Sequence, residues 1–313
     1  MQPIVFQPIY KTRVWGGREL ESRYQRELPD SKLPFGESWE VVDRDDDQSM
    51  VIGGKWHGSS LHTLWNEHRE EIFGMPMSEP SRFPILIKIL DARDDLSIQV
   101  HPPQALASAM GGEPKTEMWY IADCSPQAQL YAGIKRGVSR SEFEQAIENG
   151  SVGDCVHAIQ TRSHDSIFIP SGRLHAIGAG FLIFEIQQNS DTTYRVFDWN
   201  RMGLDGKPRE LHVPESLASI DFSDVEPSLN PATENLLADC EFFRVERVDV
   251  SAGETIQKPL GVSFCLIAVV EGSLTTKCGL HFPPGTTLLV PRDCEAIIAA
   301  QDARILMITL PQN

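Results

Sequence analysis

Four side chains from three separated stretches could grip one divalent cation: Gln99, His101, Glu117 and His175. In LSIQVHP, residues 96–102, an extended chain sends Gln99 and His101 to one face and Ile98 and Val100 to the other, because side chains alternate along a strand. In KTEMWY, residues 115–120, Glu117 is a carboxylate in an aromatic-rich, strand-like run, and burying a lone carboxylate is costly unless it meets a cation. In IPSGRLHAIG, Pro170, Gly172 and His175 read as a tight turn between two short strands that aims the histidine inward. A single buried histidine is more often a hydrogen-bonded core residue than a ligand, so the weight rests on the three stretches together. Two imidazoles, a carboxylate and an amide oxygen suit one Zn2+ per chain, with a position left for a substrate. Two histidines and a carboxylate equally describe a mononuclear iron oxygenase, and a non-catalytic binding module would use the same side chains.

The elements that must position these groups are strands. Short apolar runs separated by Pro and Gly dominate the chain, and IPSGRLHAIG is followed by the strand-like FLIFEIQQ. In PILIKIL, Lys88 sits inside an apolar strand and either snorkels to the surface or faces a polar pocket. Two stretches read as helices: residues 59–73, with Leu61, Leu64, Trp65, His68 and Ile72 at helical spacing, and residues 139–149, with a serine start and Gly150 as the stop. The acidic run from Asp43 to Asp47 reads as a solvated turn.

With 313 residues, 41% hydrophobic and 23% charged, the chain has the composition of a globular protein with a sizeable core. Its formal net charge of −16 disfavours nucleic acid and anionic membranes as partners, and nothing points to an obligatory protein partner. Six cysteines without a C-x-x-C pair read as thiols in a reducing compartment, and the lack of a leader-like or long apolar run gives a cytoplasmic expectation. We expect a mainly β protein of two units: a metal-bearing unit with small helical elements over residues 1–223, a Pro-containing linker over 224–235, and an all-β unit without metal ligands over 236–313. An echo supports the pairing of units, since GTTLLVP resembles DSIFIP; five residues beyond the proline stands His175 in the first and Ala296 in the second.

The motifs GESWE, LSIQVHP, KTEMWYIAD, IPSGRLHAIG and QQNSDTTYRVFDW, in this order over about residues 36–201, resemble the type I mannose-6-phosphate isomerases in their short bacterial form, which have a cupin fold. That resemblance implies two cupin-like barrel or jelly-roll units, the first of them catalytic, and interconversion of mannose 6-phosphate and fructose 6-phosphate through an enediolate, with a phosphorylated hexose as substrate. It implies zinc ligation by Gln99, His101, Glu117 and His175, with Arg195 as the active-site arginine and Asp191 as its neighbouring acid. Lys115 resembles an acid-base lysine, and Lys88 is expected to attract the substrate phosphate together with Arg195. His164 departs from the pattern, standing where relatives often carry glycine, and the long helical insertion of larger members is missing.

Overall fold

The computed structural model describes residues 1–77 and 81–311. The described residues are mainly β, with short helices, as the strand-rich sequence implied. Two sheets face each other around the candidate site. A six-stranded sheet runs in the order Ser166–Ile169, Glu117–Cys124, Phe181–Gln188, Ile85–Ala92, Ile9–Gly17 and Phe35–Val41. A five-stranded sheet runs Tyr194–Phe197, Ile98–Val100, His175–Ile177, Gln129–Ile134 and Val156–Gln160.

Period-two alternation decides what each face does. From the six-stranded sheet Trp119, Ile121, Ile167, Ile169 and Ile183 join Leu130, Ala132 and Ile177 of the five-stranded sheet in one buried core. The alternate residues Ile98, Val100, Ala176 and Val196 pack outward on Phe143 and Ala146 of the helix Arg140–Asn149, which Ser139 caps with a full capping box. Each such side chain, fully buried, contributes about 1.5–3 kcal/mol of transfer free energy, so the register of these strands is strongly held.

The other face of the six-stranded sheet, through Ile87, Ile89, Met118, Tyr120 and Phe184, packs on Leu266, Ala268, Leu289, Leu306 and Ile308. These last residues belong to a seven-stranded sheet built from the C-terminal segment and completed by two strands from the start of the chain, Ile4–Phe6 and Val51–Ile52. Ile4 pairs with Leu289, so the sheet of the C-terminal segment takes in residues from before position 223. The echo keeps its strand succession: Ser166–Ile169 precedes His175–Ile177, and Thr287–Val290 precedes Ile297–Ala299, with Ala296 just ahead of the last strand.

Two local expectations need correction. The stripe over 59–73 is two helices, Leu61–Glu67 and Arg69–Phe73, broken at His68, whose ring lies against Trp56 with centroids 4.4 Å apart. Ser60 caps the first helix by accepting a hydrogen bond from the Thr63 amide, and Gly74 closes the second in a left-handed conformation. Asp43 is buried rather than solvated, because it accepts hydrogen bonds from the Phe83 amide at 2.7 Å and from Gln48 at 2.8 Å.

Candidate metal and sugar-phosphate site

His175 opens its strand, directly opposite Gln99 in the neighbouring strand, and Arg195 opposes Gln99 from the other side. His101 follows the strand Ile98–Val100, and Glu117 begins its strand in the facing sheet. The turn before His175 places Gly172 at φ +93°, a left-handed conformation that glycine adopts without strain. Alternation thus points the polar side chains of both sheets into the space between them.

Glu117, His101 and His175 are completely buried, and one ligand atom from each lies within 4.8 Å of the others. His101 Nε2 is 3.5 Å from Glu117 Oε2, and His175 Nε2 is 3.6 Å from Glu117 Oε1. The other ring nitrogens are engaged by backbone: His101 Nδ1 lies 2.8 Å from the Thr192 carbonyl, and His175 Nδ1 lies 2.8 Å from the Arg173 carbonyl. A carbonyl only accepts, so both Nδ1 atoms carry the proton and both Nε2 lone pairs face inward, the arrangement that fixes a histidine as a metal ligand. Burial lowers both imidazole pKa values to about 4, with Lys115 reinforcing the shift, so both rings are neutral at pH 7. Burial alone would raise the Glu117 carboxyl, but Lys115 and then the histidines hold it well below the usual carboxylate range. Glu117 Oε1 is a buried atom without a hydrogen-bond partner. Two inward lone pairs and an orphaned carboxylate oxygen fit a cation, and these three residues could hold a metal ion.

Gln99 stands beside them with its amide nitrogen 3.3 Å from His175 Nε2 and its oxygen accepting from Ser97 at 3.3 Å. Turning the amide over would aim its oxygen at the same point, since the two ends of the group are nearly alike in shape. The Lys115 ammonium donates to Glu117 Oε2 and lies 3.3 Å from His101 Nε2, so a positive charge already sits against two of the three candidate ligands.

Above this floor opens a cavity of about 590 Å³, lined in part by Gln99, Lys115, Lys88, Asp191 and Arg195. Lys88 faces the cavity rather than snorkelling; it is 5% exposed and lies 3.2 Å from Glu185 and 4.0 Å from Glu37. Arg195 donates to Ser97 Oγ at 3.2 Å and to the Glu210 carbonyl at 2.8 Å, and it forms no ion pair among the described residues. Burial and then neighbouring Arg209 lower its pKa. Asp191 is exposed and pairs with no cation among the described residues, Arg195 included.

Sequence reasoning missed three members of this cavity. Glu185 accepts from Trp119 Nε1 at 2.9 Å and lies 3.6 Å from Lys115, and Arg13 donates to Glu37 at 2.7 Å. Arg209 reaches the cavity from a hairpin beyond Arg195. Glu185 carried the signal that exposed Glu117, a lone carboxylate inside an apolar strand.

Comparison with known proteins decides the family. The model of the type I phosphomannose isomerase catalytic domain matches residues 4–117. Mannose-6-phosphate isomerase ManA of Bacillus subtilis is 35% identical over 304 residues, 93% of each chain. The chain belongs to the type I phosphomannose isomerase family. Within that family, the mannose-6-phosphate isomerase of Streptococcus mutans is 34% identical over 287 residues, 90% of this chain and 88% of that one. The crystal structure of the Bacillus subtilis mannose 6-phosphate isomerase superposes with a TM-score of 0.88 at 30% identity, covering 99% of this chain and all of that one. No described helix is long and apolar enough to cross a membrane.

Proposed function

We propose that this phosphomannose isomerase family member interconverts mannose 6-phosphate and fructose 6-phosphate, with His101, Glu117, His175 and Gln99 holding zinc. The observation that carries this reading is the buried His101–Glu117–His175 cluster, touched by Gln99 and Lys115 from a cavity whose wall presents Arg195 without a carboxylate partner. A zinc ion bound there supplies Lewis acidity, lowering the energy of negative charge on the sugar's O1 and O2.

The chain's own residues do the rest. Lys115 donates to Glu117 Oε2 and lies 3.6 Å from Glu185 Oε1, which leaves Glu117 Oε1 for the ion. Once its own proton has passed to Glu185, the Lys115 amine at the cavity floor takes the proton from one of the carbons C1 and C2 and returns it to the other. Asp191, out at the exposed edge, orients sugar hydroxyls. Arg195 takes the phosphate at the far end, since a guanidinium with no carboxylate partner is free to form charge-assisted bonds. Lys88 is already matched by Glu185 and Glu37 and acts by fixing Glu185. The six unbridged thiols support placing the enzyme in the cytoplasm, and residues 1–223 and 236–313 remain our two units, with the shared sheet as their seam.

A coupled isomerase assay on mannose 6-phosphate tests this with metal-stripped and zinc-restored protein. Activity should vanish on stripping and return with zinc. Oxygen consumption by an iron-loaded form, or binding without exchange of the C2 proton, would replace the proposal.

A further inference from the structure

The segment after Arg195 has a construction that the proposed reaction does not explain. Residues 202–208 close on themselves: Met202 bridges Pro208, the Gly203 amide donates to the Lys207 carbonyl at 2.7 Å, and the Gly206 amide donates to the Gly203 carbonyl at 3.0 Å. The tip is therefore a unit able to move as one piece. It lines the cavity through Gly203, Leu204, Asp205 and Arg209, together with Gln99 and Lys115 from the floor. Yet its apolar side chains are poorly used, with Met202 56% and Leu204 55% exposed beside a charged cavity.

The base of the hairpin has the features of a hinge. Trp199 and Asn200, neither of them glycine, both adopt left-handed backbone conformations, at φ 55° and 54°. Trp199 is anchored by its indole nitrogen donating to the Leu96 carbonyl at 2.7 Å. Both legs of the hairpin are then held by one carboxylate: Asp198 accepts from Arg201 at 2.9 Å and from Arg209 Nε at 2.6 Å. Arg201 has one further acid, exposed Asp94 at 3.5 Å. Three guanidiniums, Arg195, Arg201 and Arg209, thus gather around one buried carboxylate, and a dianion arriving between Arg195 and Arg209 would relieve their repulsion.

We propose that residues 198–209 form a hinged cover that closes when a substrate phosphate bridges Arg195 and Arg209, swinging Leu204 and Met202 over the sugar. The open form leaves these apolar side chains in water; the closed form places them on the cavity mouth and keeps solvent from the reacting carbons. Arg209 changes partner in part from Asp198 to phosphate, so phosphate binding and closure are one event. The cover rests on the reading of the cavity as a sugar-phosphate site.

Limited trypsin digestion of the full chain tests it, because the Arg201–Met202 bond lies on the hairpin. Inorganic phosphate and fructose 6-phosphate should each slow cleavage at this bond at least fivefold, with the sugar phosphate effective at lower concentration. Arg209→Gln should abolish protection, and Arg209→Lys should restore part of it, with thermal melting verifying that both variants fold. Leu204→Ser should keep the phosphate protection and raise KM several-fold. Protection without isomerisation would sink the proposed reaction and leave the cover standing. Isomerisation with cleavage unchanged at saturating sugar phosphate would overturn the cover. Hydrogen exchange at the amides of residues 203–207 gives a second reading, with slowing by ligand expected and no change counting against closure.

Discussion

Lys115 and Glu37 show how differently two buried charges in this cavity behave. Lys115 stands at the floor between Glu117 and Glu185, so its removal should affect the reaction more than the fold. Lys115→Ala is expected to lower kcat by about 100-fold or more, the usual range for a lost acid-base group, with zinc content unchanged by metal analysis; near-normal turnover would pass the proton to Asp191. Glu37 matters for stability. Burial would raise its pKa, but Lys88 and Arg13 outweigh burial and hold it down at about 2. A carboxyl lowered on folding stabilises the native state above its unfolded pKa, and that stabilisation is lost as pH falls through the folded value. The drop from 4.5 to about 2 corresponds to roughly 3 kcal/mol. Glu37→Gln should therefore cost most of that above pH 5 in denaturant titrations, with the gap from wild type closing as pH approaches 2. The candidate ligands were legible because each broke the local pattern, whereas Arg13 lies in a strand of mixed polarity and Arg209 in a loop, where a basic residue is ordinary. Only the packing of distant segments makes them neighbours.

At the scale of the element, alternation carried the sequence reading furthest. Gln99 does line the cavity and His101 does join the ligand cluster, while Ile98 and Val100 pack outward, because a strand leaves only two directions to choose between. The break at His68 was not legible, since the apolar stripe continues through it and the cause is a ring contact with Trp56. His164 was visible only as an oddity. Its φ of +77° explains why glycine suits that place, and Tyr120 hydroxyl at 2.9 Å shows what the imidazole gains. His164→Gly should change stability by less than about 1 kcal/mol in a thermal or urea melt, as relief of left-handed strain offsets the lost hydrogen bond. Gly16 is a stricter case, because a Cβ there would stand 2.4 Å from the Gly36 nitrogen. Gly16→Ala should push apart the strands carrying Arg13 and Glu37, and a large drop in Tm with raised KM is the expected signature.

For the whole molecule, composition and strand spacing gave the mainly β class, but strand order was hidden, since nothing in IVF at residues 4–6 announces a partner near the other end of the chain. The core between the six- and seven-stranded sheets joins Phe73 and Phe83 to Phe264, with ring centroids 5.0 and 6.2 Å apart. A chain cut after residue 235 would expose that surface, so it should lose near-ultraviolet circular dichroism and bind a hydrophobic dye. A sharp cooperative melt of the shortened chain would show instead that the first unit stands alone.

The strand Ile4–Phe6 lies between Thr287–Val290 and Val51–Ile52. During synthesis, Ile4–Phe6 leaves the ribosome long before Thr287–Val290 does and must wait for it before it can be sandwiched. Ile4 and Phe6 spend that interval without their shelter, a standing invitation to chaperones, and closing so long a loop makes refolding from denaturant slow.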